Sequence, residues 1–251
     1  MSPFFEVSLL STAYLPPVEY FFAVAHSGRV LIEQHENFQK QSWRSRCRIY
    51  SAAGPEDLSI PVVKDEKRGR PIRDIRIDYS EPWLQHHVRA LSAAYNRSAF
   101  FDYYADDLIP LLESRPEFLF DLNMSLLEKL LELLGLQTPV ELTESFVASV
   151  EDNSPVRRPG GAVTVLSGKR PRDPEKVLTA QRRGRVVFDG RSRIQPKYRG
   201  ESLLAEYGFE RPYYQLFANQ DPSLGRSSFI PNLSIIDLLS AEGPDAMAFL
   251  R

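Results

Sequence analysis

Residues 6–33, from Glu6 to Glu33, read EVSLLSTAYLPPVEYFFAVAHSGRVLIE, and this stretch decides the fold class. Glu6–Leu15 is short and mostly apolar, the signature of a buried strand. Pro16 and Pro17 stop it, because proline cannot donate to a strand ladder yet fits the first turn of a helix. Val18, Phe21, Phe22 and Ala25 then recur at helical spacing up to His26, and Gly28 reads as the residue that closes the helix. Arg29–Glu33 is a second strand. Strand, tight turn, helix, strand opens a βαβ unit, so the expectation is an α/β, Rossmann-like fold with a parallel or mixed sheet. Ligands of such sheets sit beyond the carboxyl ends of the strands. Tyr14 and Leu15 should therefore share one crevice with His35–Lys40.

The chemistry is expected directly after the second strand, between His35 and Ile49. That stretch holds four cations (Lys40, Arg44, Arg46, Arg48), two aromatics and the only cysteine. Arginine presents a rigid fork of donors to carboxylate or phosphate, so such a loop can aim fixed donors at an anion. A solvated hairpin with scattered charge is the plainer reading. Cys47–Tyr50 and Leu58–Val63 read as two further strands, and Ile75 and Ile77 alternate with polar neighbours like a half-buried one.

Ser80-Glu81-Pro82 resembles a helix start, with serine as the cap. Three helices follow over about 81–135 and are expected to pack on the sheet. The first sets Trp83, His87, Leu91 and Tyr95 four residues apart along one face. The last is rich in leucine and ends at Gly135. Val140–Phe146 is a possible strand.

Composition changes at Glu151. Residues 154–199 hold thirteen lysines and arginines against three acids, whereas the whole chain has a net charge of −2. The expected organisation is a main domain at 1–150, a basic linker or insert at 151–200, and a segment at 201–251 that completes the main domain. The insert reads either as an electrostatic arm or as a linker with a short hairpin at Arg185–Asp189. Near the end, Asn232 or Ser234 is placed to cap a closing helix whose first turn carries Asp237.

These features exclude several classes. A single cysteine rules out a disulfide framework within the chain. No apolar run reaches the ~20 residues of a membrane span, and no secretory pattern stands at the N-terminus, so a cytoplasmic protein is expected. No nucleic-acid motif is present, and none is favoured as a partner. His-x-His, His-x3-His and Cys-x2-Cys spacings are missing, so no metal site is expected; phosphate-loop and Rossmann glycine patterns are missing too, and no cofactor is assigned. His87, desolvated by Trp83 and Tyr95, is the candidate general base, with satisfaction inside the core as the alternative. Cys47 reads as a small core residue.

Several ordered blocks together resemble the WbqC-like protein family: Tyr-Leu-Pro-x3-Tyr at Tyr14–Tyr20, Phe-Gln-Lys-x-Ser-Trp-x2-Arg-x-Arg-Ile at Phe38–Ile49, Leu-Ser-Ile-Pro-Val at Leu58–Val62, Trp-x3-His at Trp83–His87, and Asn-Leu-Ser-Ile-Ile-Asp-Leu-Leu at Asn232–Leu239. Lys40, Ser42, Trp43, Arg46, His87, Asn232 and Asp237 match the family's motifs. Two positions depart from it: Ser45 stands where members often have asparagine, and Ser240 where an aromatic is common. The resemblance implies a link to O-antigen gene clusters and a glycine transferase role on a surface sugar.

The expected activity is thus an aminoacyl-type group transferase acting on an activated sugar or surface-polysaccharide precursor. Its partner would be an anionic small molecule such as a nucleotide sugar. His87 and Lys40 are the candidate catalytic residues. Tyr14, His35, Ser42, Trp43, Arg44, Arg46, Trp83, Asn232 and Asp237 are the candidate binding residues. Two alternatives stand beside it: ATP-dependent carboxylate activation, from the strand–Tyr-Leu-Pro-Pro–helix opening, and a non-enzymatic scaffold of envelope biosynthesis using the basic segment. Deleting 154–199 is expected to separate enzyme from scaffold.

Overall fold

The computed structural model of the chain describes residues 3–64, 69–148, 163–166, 185–218 and 229–251. The opening stretch folds as its pattern requires. Strand β1 (Phe5–Ser11) leads through the proline turn into helix α1 (Val18–Ala25), which returns to β2 (Ser27–Glu33). β1 and β2 pair in parallel, with Ser8 opposite Val30 and Ser11 opposite Glu33. The strand ends at Ser11, four residues short of Leu15, because the chain turns out of the sheet to build a loop over its carboxyl edge. Gly28 does not close α1; it lies within β2, where an added Cβ would come 2.9 Å from the Glu6 carbonyl oxygen. Its small size serves the close approach of two strands, and His26 caps the helix instead.

The hairpin β3 (Arg46–Ser51) and β4 (Gly54–Ser59) forms its own two-stranded antiparallel unit. Buried Cys47 and Ile49 alternate there with half-exposed Arg46 and Arg48. β4 begins and ends earlier than the hydrophobic run predicts. Beyond Ser59 the chain makes only single bridges, Val62 to Ile77 and Arg76 to Phe118, since Pro61 has no N–H to extend a ladder.

Helices α2 (Trp83–Tyr95), α3 (Phe101–Glu113) and α4 (Leu119–Leu133) follow. α2 lies against β3, and α3 touches both α2 and α4. Pro82, not Ser80, stands at the N-cap of α2, and no side chain caps it. Gly135 ends α4 as expected, in the left-handed region at φ 64°.

The sheet is then completed from the later chain. β5 (Val140–Leu142) adds to β2, β6 (Val163–Leu166) pairs with β7 (Arg185–Asp189), and β7 pairs with β1. Every pairing is parallel, and the order is β5-β2-β1-β7-β6. Arg185–Asp189 is therefore not a hairpin in a linker. It is an inner strand beside β1, with buried Phe188 stacked on Phe5 at 4.8 Å. Deleting 154–199 would remove it, so that deletion cannot separate an enzyme from a scaffold. Residues 151–162 and 167–184, which carry much of the basic segment, lie outside the described residues.

A short helix, α5 (Leu203–Glu206), packs on α1, and α6 (Ile235–Glu242) closes the fold. Ser234 caps α6 through its hydroxyl, whereas Asn232 caps α1. The Asn232 Oδ1 accepts the Glu19 N–H at 3.1 Å, and its Nδ2 donates to Glu19 Oε1 at 2.7 Å. Asn232 sits at φ 58°, a conformation that asparagine adopts more readily than most residues. The C-terminal segment is thus riveted to the turn between β1 and α1. Ile235 N–H bonds to the Pro16 carbonyl and Val18 N–H to that of Leu233.

Candidate functional site

The carboxyl edge of a parallel sheet opens a crevice where neighbouring strands send their chains in different directions. β1 and β7 are such a pair, adjacent in space and distant in sequence. Beyond Ser11 the chain runs Thr12-Ala13-Tyr14; beyond Asp189 it turns sharply at Gly190, whose carbonyl accepts the N–H groups of Arg193 and Ile194. A Cβ on Gly190 would collide with Leu10 at 2.5 Å, so glycine lets β7 leave the sheet beside β1. Between the two turns lies a small cavity of about 10 Å³, lined by Ser11, Thr12, Trp43, Arg44, Gly190 and Gln195, among others.

The loop after β2 supplies the third wall. Its approach is fixed by two hydrogen bonds: Tyr14 N–H to the Trp43 carbonyl at 2.8 Å, and Asn123 Nδ2 of α4 to the Arg44 carbonyl at 2.8 Å. Asn123 is fully buried, so a helix some eighty residues away in sequence sets the position of the arginine. Neither Tyr14 and Leu15 nor His35–Lys40, expected to share one crevice, lines this cavity; Ser11–Ala13 from the first loop and Trp43 and Arg44 from the second do.

Arg44 is 1% exposed and turned inward. Its Nε and Nη2 form a fork on both oxygens of Glu36, at 2.7 and 2.5 Å, and Nη2 also donates to Ser11 Oγ at 2.8 Å. Nη1 lies 3.5 Å from Gln39 Oε1, a weak contact, so this nitrogen keeps donor capacity. Glu33, at the end of β2 and fully buried, accepts from His35 N–H, Thr143 Oγ1 and Val147 N–H. Arg191 bonds to Asp189 and lies 3.6 Å from Glu33. At this edge two arginines, Arg44 and Arg191, meet three acids, Glu33, Glu36 and Asp189, so the arginine of the cationic loop that turns inward is already paired with an acid.

Two polar groups in this cavity's lining are left over. Thr12 is 1% exposed and Trp43 5%, and neither Thr12 Oγ1 nor Trp43 Nε1 has a hydrogen-bond partner among the described residues. Buried polar groups are almost always satisfied, so each exception calls for an explanation.

The other sequence candidates separate into distinct places. His87 is buried, with its Nδ1 2.9 Å from the Tyr14 hydroxyl and its ring edge-on to Trp83 at 5.0 Å. Burial first, then the neighbouring His86, lowers its pKa to about 4, while a hydrogen bond to the Ser59 backbone works the other way. A backbone partner that favours protonation is a carbonyl acceptor, so Nε2 donates there and Nδ1 accepts from Tyr14. Both ring nitrogens are occupied. Ser42 bonds to the Gln39 carbonyl at 2.6 Å and shapes the loop. His35 Nε2 meets the Thr143 carbonyl at 3.1 Å. Lys40 is exposed. Arg46 and Arg48 lie on the outer face of the hairpin and share Asp57, at 3.1 and 2.7 Å. Asn232 serves α1, and Asp237 stands in a second polar pocket. Burial also pushes the Cys47 thiol well up, which leaves it a core residue and a poor nucleophile.

Sequence reasoning missed Ser11, Thr12, Glu36 as the partner of Arg44, Asn123 and Gly190. Glu36 was visible as an acid within a cationic loop. Asp189-Gly190 after Val186-Val187-Phe188 was visible as a strand end. Asn123 left no signal, because its partner is a backbone carbonyl far along the chain.

Comparison with known proteins gives a consistent result. A model of the WbqC-like protein family matches residues 12–179. A protein of Mycobacterium tuberculosis (strain ATCC 25618 / H37Rv), known as uncharacterized protein Rv1507c, is 28% identical over 257 residues, covering 98% of this chain and 99% of that one. No solved structure matches.

Proposed function

The chain belongs to the WbqC-like protein family, and we propose that it is a group transferase of the aminoacyl type, acting on an activated sugar or surface-polysaccharide (O-antigen) precursor. One observation carries the placement of its ligand in the β1–β7 crevice. The Thr12 hydroxyl and the Trp43 indole N–H are buried, unpartnered among the described residues, and carried by residues that line the same cavity as Arg44. An unmade hydrogen bond at a buried group costs about 1–3 kcal/mol, which a ligand's acceptor atoms would recover. The indole N–H and the guanidinium can only donate, so they suit the acceptor oxygens of a carboxylate, phosphate or sugar. In the transfer, the acceptor's hydroxyl or amine bonds to the acyl carbon, the bond to the donor's leaving group breaks with its electron pair, and the acceptor's proton passes to that leaving group. Arg44 and Ser11 would orient the ligand. His87 acts as a positioning residue through Tyr14, whose N–H holds the Trp43 carbonyl. Lys40 and Arg46 would steer an anionic substrate from outside.

The alternative of carboxylate activation with ATP has less support. In nucleotide-binding α/β proteins a phosphate meets the free N–H groups at a helix start. Here Pro17 has no N–H, Val18 and Glu19 donate to Leu233 and Asn232, and Tyr20 donates to the Pro17 carbonyl.

Thermal-shift titration with nucleotide sugars, ATP and glycine tests the reading, with Thr12→Val and Arg46→Ala as controls. A ligand that binds only the folded state raises the melting temperature with concentration. A shift by a nucleotide sugar or glycine that disappears in Thr12→Val is expected. Equal shifts in wild type and Thr12→Val, or none with any of these ligands, would overturn it.

A further inference from the structure

The two loops that wall the crevice meet where Tyr14 N–H donates to the Trp43 carbonyl at 2.8 Å. Among the described residues six buried side chains have a polar atom without a hydrogen-bond partner, and four of them gather at this junction. Thr12 and Trp43 line the small cavity together. Asn123, whose Oδ1 is unmet, gives its Nδ2 to the Arg44 carbonyl. Trp83, whose indole N–H is unmet, stands edge-on to His87, the partner of the Tyr14 hydroxyl. Backbone strain collects in the same place. Leu15 lies at φ 40° although it is a buried leucine that precedes a proline, a position restricted to extended backbone. Gln41, two residues before Trp43, lies at φ 57°.

Buried polar groups are nearly always satisfied, and strained backbone persists only where its surroundings force it. Both terms therefore work against the closed arrangement at one spot. The cavity, at about 10 Å³, holds no more than a water, so a sugar or an amino acid enters only if a wall moves. The hydrogen bonds show which wall can give way. Phe38 N–H is held by the Arg70 carbonyl, the Arg44 carbonyl by Asn123 and the Ser45 carbonyl by Ile60 N–H. Between these anchors Gln39, Lys40 and Gln41 are exposed, and Trp43 is the buried end of the span. We propose that residues 39–43 form a strap over the crevice that opens locally, releasing the Tyr14–Trp43 bond and uncovering Thr12, Trp43 and Arg44. Once it is open, water or ligand meets the Thr12 hydroxyl and the indole N–H, which offsets part of the cost of exposing the indole ring. The ligand it admits is that of the proposed transferase, and in this respect the inference rests on that reading; the opening itself is a property of the unliganded chain.

Amide hydrogen exchange of the full chain without ligand, followed residue by residue by NMR, tests the strap. Two amides serve as references: Val18 N–H, bonded to Leu233 on the other side of the proline turn, and Val30 N–H, bonded to Pro139 in the sheet. Protection of the Tyr14 N–H should be lower than either by roughly a hundredfold, and low urea should leave its exchange unchanged, as a local opening requires. Thr12→Val relieves the closed arrangement of one unmet group and should slow Tyr14 exchange several-fold. Tyr14 protected as strongly as Val18 and Val30 would overturn the proposal in the wild type alone, whatever the variant does. A Tyr14 rate that Thr12→Val leaves unchanged would overturn it as well. Fast Tyr14 exchange in a protein that gives no thermal shift with any of the ligands would support the strap and sink only the transferase reading.

Discussion

The hydroxyl of Thr12 works against the folded state, since it is buried without a partner among the described residues. Replacing it with valine keeps the shape and removes the unmet group, so Thr12→Val should gain roughly 1 kcal/mol of stability while losing ligand binding in the crevice. Urea denaturation and the thermal-shift titration read the two effects separately. Arg44 and Arg46 make the opposite contrast. Both were read from sequence as anion-binding cations, yet one is buried on Glu36 and the other half-exposed on Asp57. Glu36→Ala leaves an uncompensated buried guanidinium and should cost about 3–5 kcal/mol. Arg46→Ala should cost under about 1 kcal/mol, as exposed pairs contribute little. Comparable losses in both would contradict the assignment. Sequence shows that an arginine is present but not which way it turns, because that depends on burial and on the nearest acid.

At the scale of elements, β1, α1 and β2 were legible because each carries its own periodicity and the prolines mark the turn. The three helices were legible for the same reason. β7 was not. Its five residues sit in a basic, proline-containing context, and their pairing partner is β1, so no local pattern records it. Phe188 is the test of its role. It is buried and stacked on Phe5 and packs beside Gly190. Phe188→Ala should destabilise the protein by about 3–5 kcal/mol in chemical denaturation, the loss of a core aromatic. A linker hairpin would show almost none. The small cavity beside β1 and β7 lies at the carboxyl edge, where parallel topology puts the crevice expected from sequence. Its actual walls depend on β7 and on Asn123, which explains why half of them went unread.

Among the described residues, Asp237 and His87 are two buried titrating groups with opposite leanings, beside Glu19 and His26. Asp237 moves from an ordinary 3.8 up to about 6, chiefly through burial. Its contribution to stability is fully present below pH 3.8 and lost as pH rises through 6. His87 moves from 6.5 down to about 4, also through burial. Its contribution is present above pH 6.5 and lost as pH falls through 4. Each shift corresponds to about 3 kcal/mol, so between pH 4 and 6 the two largely cancel and their joint profile should be flat. Asp237→Asn removes one side of that balance. The variant should be more stable than wild type at pH 8, and its stability should fall more steeply from pH 6.5 to 4, as urea denaturation across that range would show. Parallel wild-type and variant profiles would contradict the opposing shifts.

The strand order has a consequence in time. β1 lies at the centre of the sheet and is synthesised early, but Val7 finds its partner only at Val187. At ~5–20 residues per second, translation spends roughly 10–35 s between the two. During that interval β1 can join β2, and β5 can add to β2, while the other side of β1 remains a bare row of amides and carbonyls, open to any extended chain nearby. A nascent chain of this protein therefore needs shelter for one particular edge. The late arrival of β7 ends that exposure and creates the crevice in the same event.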